Sequence, residues 1–240
     1  YFTNIYSLKI SRQSILEYDD VRGFTLFPSD NACMRETTDD LYSKVAFYPQ
    51  QTHSLNVKVV KNSDADVRDT DALLTFEENL TIGVRTADCV PILIYSPDLK
   101  GIGAIHAGWK GTLGGIVDSV LDELEARGAD ISELVVSFGP SISVTIYEVD
   151  EELATKFKVA GFEKYISYPY GHDRKPHIDL QGVNMERFLR RGVRKDNISV
   201  SNECTYSSKN EDCTFKYQSY RRDKDMAARN LTAICRHKNG

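Results

Sequence analysis

Near the middle of the chain two short apolar runs stand close together, Pro91-Ile92-Leu93-Ile94-Tyr95 and Gly101-Ile102-Gly103-Ala104-Ile105. Both are bounded by turn residues, Ser96-Pro97-Asp98 and the glycines, and both read as strands covered on both faces. An antiparallel pair of this length, joined through Pro97-Asp98-Leu99-Lys100, brings the start of one strand beside the end of the other. Cys89 opens the first and His106 closes the second, so the two side chains are expected to be neighbours. After His106 the chain reads Ala-Gly-Trp-Lys-Gly-Thr, where glycines on both sides of one bulky aromatic allow a sharp turn and close approach to a ligand. A helix is predicted from Thr112.

The chain has 240 residues, of which 41% are hydrophobic and 27% charged, enough for one sizeable core. No Pro/Gly/Ser-rich linker divides it, so residues 1–240 are expected to form a single domain. A net charge of −5 provides no basic field for nucleic acid or an anionic membrane, and no apolar stretch approaches the ~18 residues of a membrane span. The first residues lack the basic start and apolar block of a signal peptide. Five scattered cysteines (33, 89, 204, 213 and 235) in a chain of this size point to reduced thiols and a cytoplasmic location.

Taken in order, Gly23 to Pro28 reads as an early strand, Glu36 to Val45 as a short helix and Ala46 to Pro49 as a strand. Cys33 and Met34 fall in a polar loop between the first two. His53 precedes the strict alternation of Leu55, Val57 and Val59, which marks a half-buried strand. Asn62 to Asp71 is a charged loop carrying Asp64, Asp66, Asp69 and Asp71. It lacks the central glycine of an EF-hand and reads as solvated. Ala72 to Phe76 and Leu80 to Thr86 are further strands, the second leaving Arg85 near the turn at Cys89.

Leu113, Ile116, Val117, Val120, Leu121 and Leu124 form one helical stripe that Gly128 ends. Beyond it come a strand from Leu134 to Phe138, a helix from Glu151 closed by Gly161 and a strand from Tyr165 to Tyr168. A helix capped by Asp179 and ended by Gly192, a strand from Ile198 to Ser201 and a closing helix from about Asp225 to Cys235 complete the chain. The elements alternate without a Rossmann period, and no GxGxxG or P-loop is present, so an α+β fold with mixed sheets flanked by helices is expected.

Three residues stand out chemically. His53, Cys89 and His106 offer two imidazoles and a thiolate, the donors zinc takes, and three protein ligands leave a fourth tetrahedral position for water or substrate. The plain alternative is a buried free cysteine with two satisfied surface histidines. The spacing, which forms no local CxxC or HExxH pattern, leaves both readings open.

His53 in QQTHS, the block TADCVP and the block HAGWKG resemble the three characteristic segments of the laccase-domain or multicopper polyphenol oxidase family, the YfiH-like proteins. The similarity continues through Gly139-Pro140-Ser141-Ile142, Tyr147-Glu148-Val149, Asp179-Leu180 with Asn184, Cys204-Thr205 and Ser219-Tyr220-Arg221-Arg222-Asp223, nearly the whole chain. The resemblance implies a mixed α/β domain in which His53, Cys89 and His106 bind zinc. It also implies phosphorolysis of adenosine, inosine, guanosine and methylthioadenosine, together with adenosine deamination. Lys110 departs from the usual Arg after the Trp, Ser143-Val144-Thr145-Ile146 replaces a Gly-Pro-Cys-like turn, and Ala228-Arg229 replaces Gly-Arg.

These residues can support that chemistry. For deamination, zinc activates water for attack on C6 of the purine, and Asp88, next to Cys89, is the candidate proton shuttle, with a turn role as its alternative. For phosphorolysis, Arg85, Lys110, Arg221 and Arg222 are the cations that could hold phosphate; pairing with Asp223 is the alternative for Arg222. Trp109 is placed to stack on a base or simply to pack. The partners expected are purine nucleosides and phosphate, with the protein a monomer or homodimer.

Copper is the alternative metal, since two His and a Cys also form a blue-copper centre. A laccase, however, needs a trinuclear cluster fed by about eight further His, and this chain has five in all. A metal-free cysteine hydrolase or amidase, with Cys89 as nucleophile and His106 as base, is the other enzymatic alternative. A non-catalytic scaffold would not need three convergent donors.

Overall fold

The computed structural model describes residues 10–18, 20–28, 46–171 and 173–237. The two apolar runs form β6 (Val90–Ser96) and β7 (Gly101–Ala107), antiparallel from Val90 opposite Ala107 to Ser96 opposite Gly101, with all residues of both buried. β7 pairs on its far side with β4 (Ala72–Thr75), which runs parallel to β3 (Val57–Val59). β6 pairs with β8 (Val135–Phe138), itself parallel to β11 (Ile198–Val200). The result is a mixed six-stranded sheet of order β11-β8-β6-β7-β4-β3.

Period two explains why these strands look continuously apolar. Ala72, Leu74, Val90, Ile92, Ile94, Ile105 and Ala107 face a helical layer, whereas Leu73, Leu93, Tyr95, Ile102 and Ala104 face a second sheet. The helical layer comprises α1 (Trp109–Gly114), α2 (Ile116–Glu125), α3 (Glu151–Val159) and α4 (Leu180–Arg190). α2 buries Ile116, Val117, Val120, Leu121 and Leu124, the stripe expected from sequence, each worth ~1.5–3 kcal/mol against exposure to water. Asp179 caps α4 through the N–H of Gly182, and Gly192 follows its end at φ 98°.

The second sheet holds β1 (Ile10–Tyr18), β2 (Val21–Pro28), β12 (Asn230–Arg236) and β5 (Ile82–Thr86) in the order β1-β2-β12-β5, antiparallel throughout. A two-stranded ribbon of β9 (Ile166–Ser167) and β10 (His177–Ile178), a one-turn helix α5 (Tyr220–Asp223) and three 3-10 turns at Ile131–Glu133, Glu163–Tyr165 and Lys195–Asn197 complete the described elements. The fold is therefore α+β with mixed sheets flanked by helices, as expected.

Some local expectations are corrected. The segment read as a closing helix is the strand β12, buried along its whole length between β2 and β5, where both edges take ladder hydrogen bonds. Sheet pairing there outweighs the helix propensity of Leu231 and Ala233. The helix expected from Thr112 starts at Trp109 and is broken at Gly115, whose φ of 92° serves both the end of α1 and the start of α2. Arg187 of α4 braces that break by donating to the carbonyls of Thr112 and Leu113 and pairing with Asp118. Ala46 to Pro49 forms one bridge, Phe47 to Ile82, and no strand. The helix expected over Glu36 to Val45, like Cys33 and Met34, lies outside the described residues. No helix among the described residues is long and apolar enough to cross a membrane.

Candidate functional site

Strand register brings the site residues together. Val90 pairs with Ala107 and Ala72 with Ile105, so one step outward Asp71 stands level with His106 on the other side and Cys89 stands level with Gly108. The backbone agrees, since the N–H of His106 donates to the carbonyl of Asp71 at 2.8 Å. His53 comes from the turn before β3 and holds a left-handed backbone, φ 64°, which costs a non-glycine residue about 1 kcal/mol. Asp88, at φ 88°, is a second left-handed residue beside Cys89.

Among the described residues, His53, Cys89 and His106 form a group whose ligand atoms all lie within 4.8 Å of one another. The Sγ of Cys89 is 3.8 Å from Nε2 of His53, and the two imidazoles meet edge to face with centroids 4.8 Å apart. A tetrahedral zinc site with Zn–S ~2.3 Å and Zn–N ~2.0–2.1 Å has an S···N edge of about 3.6 Å, so these donors fit the ion. Gly108 makes the approach possible. A Cβ there would fall 2.5 Å from Cδ2 of His53 and 3.1 Å from Sγ of Cys89.

Electrostatics ties Cys89 to His106. Burial raises the Cys89 thiol, but the charge and hydrogen bond of His106, with His53 behind them, bring it down to about 6. Burial lowers His106, and the Cys89 thiolate together with the bond to Asp71 raises it to about 9. The metal-free chain thus holds a thiolate–imidazolium pair. Tyr147 lies close enough to feel it: burial first, then the Cys89 charge, push its phenol above the usual range.

Asp71 was placed by sequence in a solvated loop, yet its side chain is fully buried and that of His106 is 4% exposed. Its Oδ1 accepts from Nδ1 of His106 at 2.7 Å and from the N–H of His53 at 3.0 Å. Its Oδ2 accepts from the N–H groups of Thr52 and Ser54 and from the Ser54 hydroxyl. Burial raises its pKa, and these bonds, His106 foremost, lower it to about 2. The available signal was its position immediately before β4, where a charged loop passes into a buried strand.

The other expected site residues divide. Asp88 accepts from the Thr205 hydroxyl at 2.7 Å and from the N–H of Arg221 at 2.6 Å, which ties the Cys89 turn to the start of α5. Arg222 makes the alternative pairing, with Asp223. Its guanidinium donates to the carbonyls of Thr205, Tyr206 and Tyr217 and to both oxygens of Asp223, which occupies its five N–H directions. Arg221 donates to the Glu148 carbonyl and lies over the Tyr147 ring. Lys110 is exposed beside Trp109, and Trp109 packs partly against the main core.

Arg85 lies over the Tyr48 ring, 4.4 Å from its centroid. It pairs in register with Leu231, and Arg229, just before the start of β12 and not selected from sequence, lies close enough to feel its charge. Burial and the nearby charge of Arg85 lower the pKa of Arg229, while Cys89 and Asp88 oppose the shift.

Residues 31–237 match the family described as multi-copper polyphenol oxidoreductase laccase, and the chain belongs to that family. A relative called adenosine deaminase RL5, from an unknown prokaryotic organism, is 35% identical over 167 residues. That match spans 65% of this chain and 64% of the relative, less than two thirds of the relative's length. Purine nucleoside phosphorylase CA_C1699 of Clostridium acetobutylicum is 31% identical over 241 residues, covering 94% of this chain and 97% of its own. The crystal structure of the Bacillus licheniformis hypothetical protein YfiH superposes with a TM-score of 0.75 at 24% identity, covering 91% of this chain and 93% of that one. At that identity the likeness concerns the fold.

Proposed function

We propose that this chain is a purine nucleoside phosphorylase that also deaminates adenosine, with a zinc ion held by His53, Cys89 and His106. The observation that carries the reading is the convergence of these three donors from separate segments onto one point. The names of the relatives, a purine nucleoside phosphorylase and an adenosine deaminase, supply the reaction class. Adenosine, inosine, guanosine and methylthioadenosine are the expected nucleosides.

Zinc bound there supplies Lewis acidity, which suits both reactions. The chain's own residues do the rest. In phosphorolysis the bond between ribose C1′ and purine N9 breaks, its electron pair and a proton end on the base, and a phosphate oxygen bonds to C1′. Arg85, Arg229 and Lys110 supply the positive charge that holds the phosphate. In deamination water adds at C6 and ammonia leaves. Asp88 holds the Cys89 turn, and Trp109 with Tyr147 offers aromatic surface to the base.

The test is metal analysis of protein purified without added metal, alongside product analysis with adenosine and phosphate. The expected result is about one zinc per chain, with adenine and ribose 1-phosphate formed. The same donors take copper, and the metal analysis names the ion. Metal-free protein that leaves adenosine intact sinks the reading. The thiolate–imidazolium pair of Cys89 and His106 favours one second reading, a cysteine hydrolase, for which His53 has no necessary role.

A further inference from the structure

The two histidines of the site come from segments far apart in sequence, and one buried carboxylate holds the ring of one and the backbone of the other. Oδ1 of Asp71 accepts from the ring of His106 and from the backbone of His53, 2.7 and 3.0 Å away. Oδ2 closes the turn around His53 by accepting from the N–H groups on either side of it, 3.1 Å from Thr52 and 2.7 Å from Ser54, and from the Ser54 hydroxyl at 2.8 Å. The backbone of the same residue adds two more ties, since its carbonyl accepts from the His106 N–H and its own N–H donates to the Asn56 carbonyl.

Five donors on one carboxylate leave it little room to move, because two oxygens offer about four lone-pair sites. The consequences for the two imidazoles differ in kind. At His106, a donor bond from Nδ1 keeps a proton on that nitrogen and turns Nε2 to Cys89 and His53, so that Nε2 is the nitrogen that sheds its proton and offers its lone pair when a metal binds. At His53 the control is over the backbone. Three successive N–H groups aimed at one carboxylate hold residues 52–54 in a tight turn, and the left-handed φ of His53 needs such a restraint to persist. Neither the His106 ring nor the His53 backbone can shift without disturbing a bond to the same carboxylate.

We infer that Asp71 is the positioning residue of this site, presetting the ring orientation of His106 and the backbone of His53 together so that the donors are arranged before a metal arrives. The inference rests on the metal reading of His53, Cys89 and His106, and its test is read on binding and spectra, independent of nucleoside turnover.

Asp71→Asn keeps the shape of the side chain but places an NH2 group where one oxygen accepted. In protein stripped of metal and confirmed folded by circular dichroism, competition with a chromophoric chelator should show zinc dissociation ~10–100-fold weaker than in the parent. The cobalt(II)-substituted variant should show shifted d–d bands, a readout that general loss of stability would not move. An Asn variant with the parent's zinc affinity and cobalt spectrum overturns the inference and leaves the metal reading standing. A parent that takes up no zinc overturns both.

Should the variant fail to fold, long-range 1H–15N correlation on the parent decides the question. In the zinc-loaded protein the proton of His106 is expected on Nδ1. A proton on Nε2 with metal on Nδ1 overturns the inference.

Discussion

At the scale of single residues, the space around Cys89 is set by Gly108. Adding one methyl there, Gly108→Ala, would press on His53 and Cys89 together, at 2.5 and 3.1 Å. The expected outcome is zinc affinity reduced ~10-fold or more with thermal unfolding of the metal-free protein little changed; parent-like metal content would defeat it. His53→Ala separates the two chemical readings. In a zinc site it loses metal and turnover together, and Cys89, released from the ion, is alkylated faster. In a cysteine hydrolase Cys89 and His106 suffice, and turnover persists. Metal stoichiometry, nucleoside turnover and alkylation rate measured on one preparation decide between them.

At the scale of elements, β12 carries more of the architecture than its composition suggests. It joins β2 to β5, and its neighbours on the inward face include Ile82, Val84, Leu93 and Ile102 of the core between the sheets. Ile234 is fully buried in that core. Ile234→Ala should cost ~2–5 kcal/mol, read as a lower urea midpoint at unchanged slope. A loss below ~1 kcal/mol would argue that this segment does not pack as a central strand. The same strand sets Arg229 near Arg85 at the end of the sheet, so its pairing also shapes the charge beside Cys89.

At the scale of the whole molecule, the coupled charges of the site give the metal-free protein a defined pH response. Cys89 is lowered from 9.0 to about 6, so its thiolate fraction, and with it the alkylation rate, should rise through pH 6 and level off by neutrality. A midpoint near 9 would remove the ion pair from the account. Asp71 is lowered from 3.8 to about 2. A depressed carboxylate stabilises fully above its unfolded value, so this contribution, about 2 kcal/mol, should be lost as pH falls from 3.8 through 2. His106 is raised from 6.5 to about 9, so its contribution is present below 6.5 and lost as pH rises through 9. Cys89 runs the other way, its contribution present above 9.0 and lost as pH falls through about 6. The two offset each other between about 6 and 9, so urea midpoints should fall on the acid side only. A steep fall between pH 6.5 and 9 would contradict the pairing of Cys89 with His106.

From the sequence alone the core strands, the stripe of α2, the cap at Asp179 and the three donor residues were legible, because each is written in local period, turn chemistry or donor type. Cys89 and His106 could be paired at that stage, since one short hairpin joins them. Three features were decided only by the tertiary structure. Asp71 reads as one more acid in a charged loop until register sets it level with His106, 35 positions away. Arg222 reads either as a phosphate cation or as a partner of Asp223, and the loop carbonyls of Thr205, Tyr206 and Tyr217 around its guanidinium emerge only in the fold. β12 reads as a helix until β2 and β5 take both its edges. Local pattern records which face of an element is buried, whereas the partner a buried polar group or strand edge meets depends on register between segments distant in sequence, and that exists only in the folded chain.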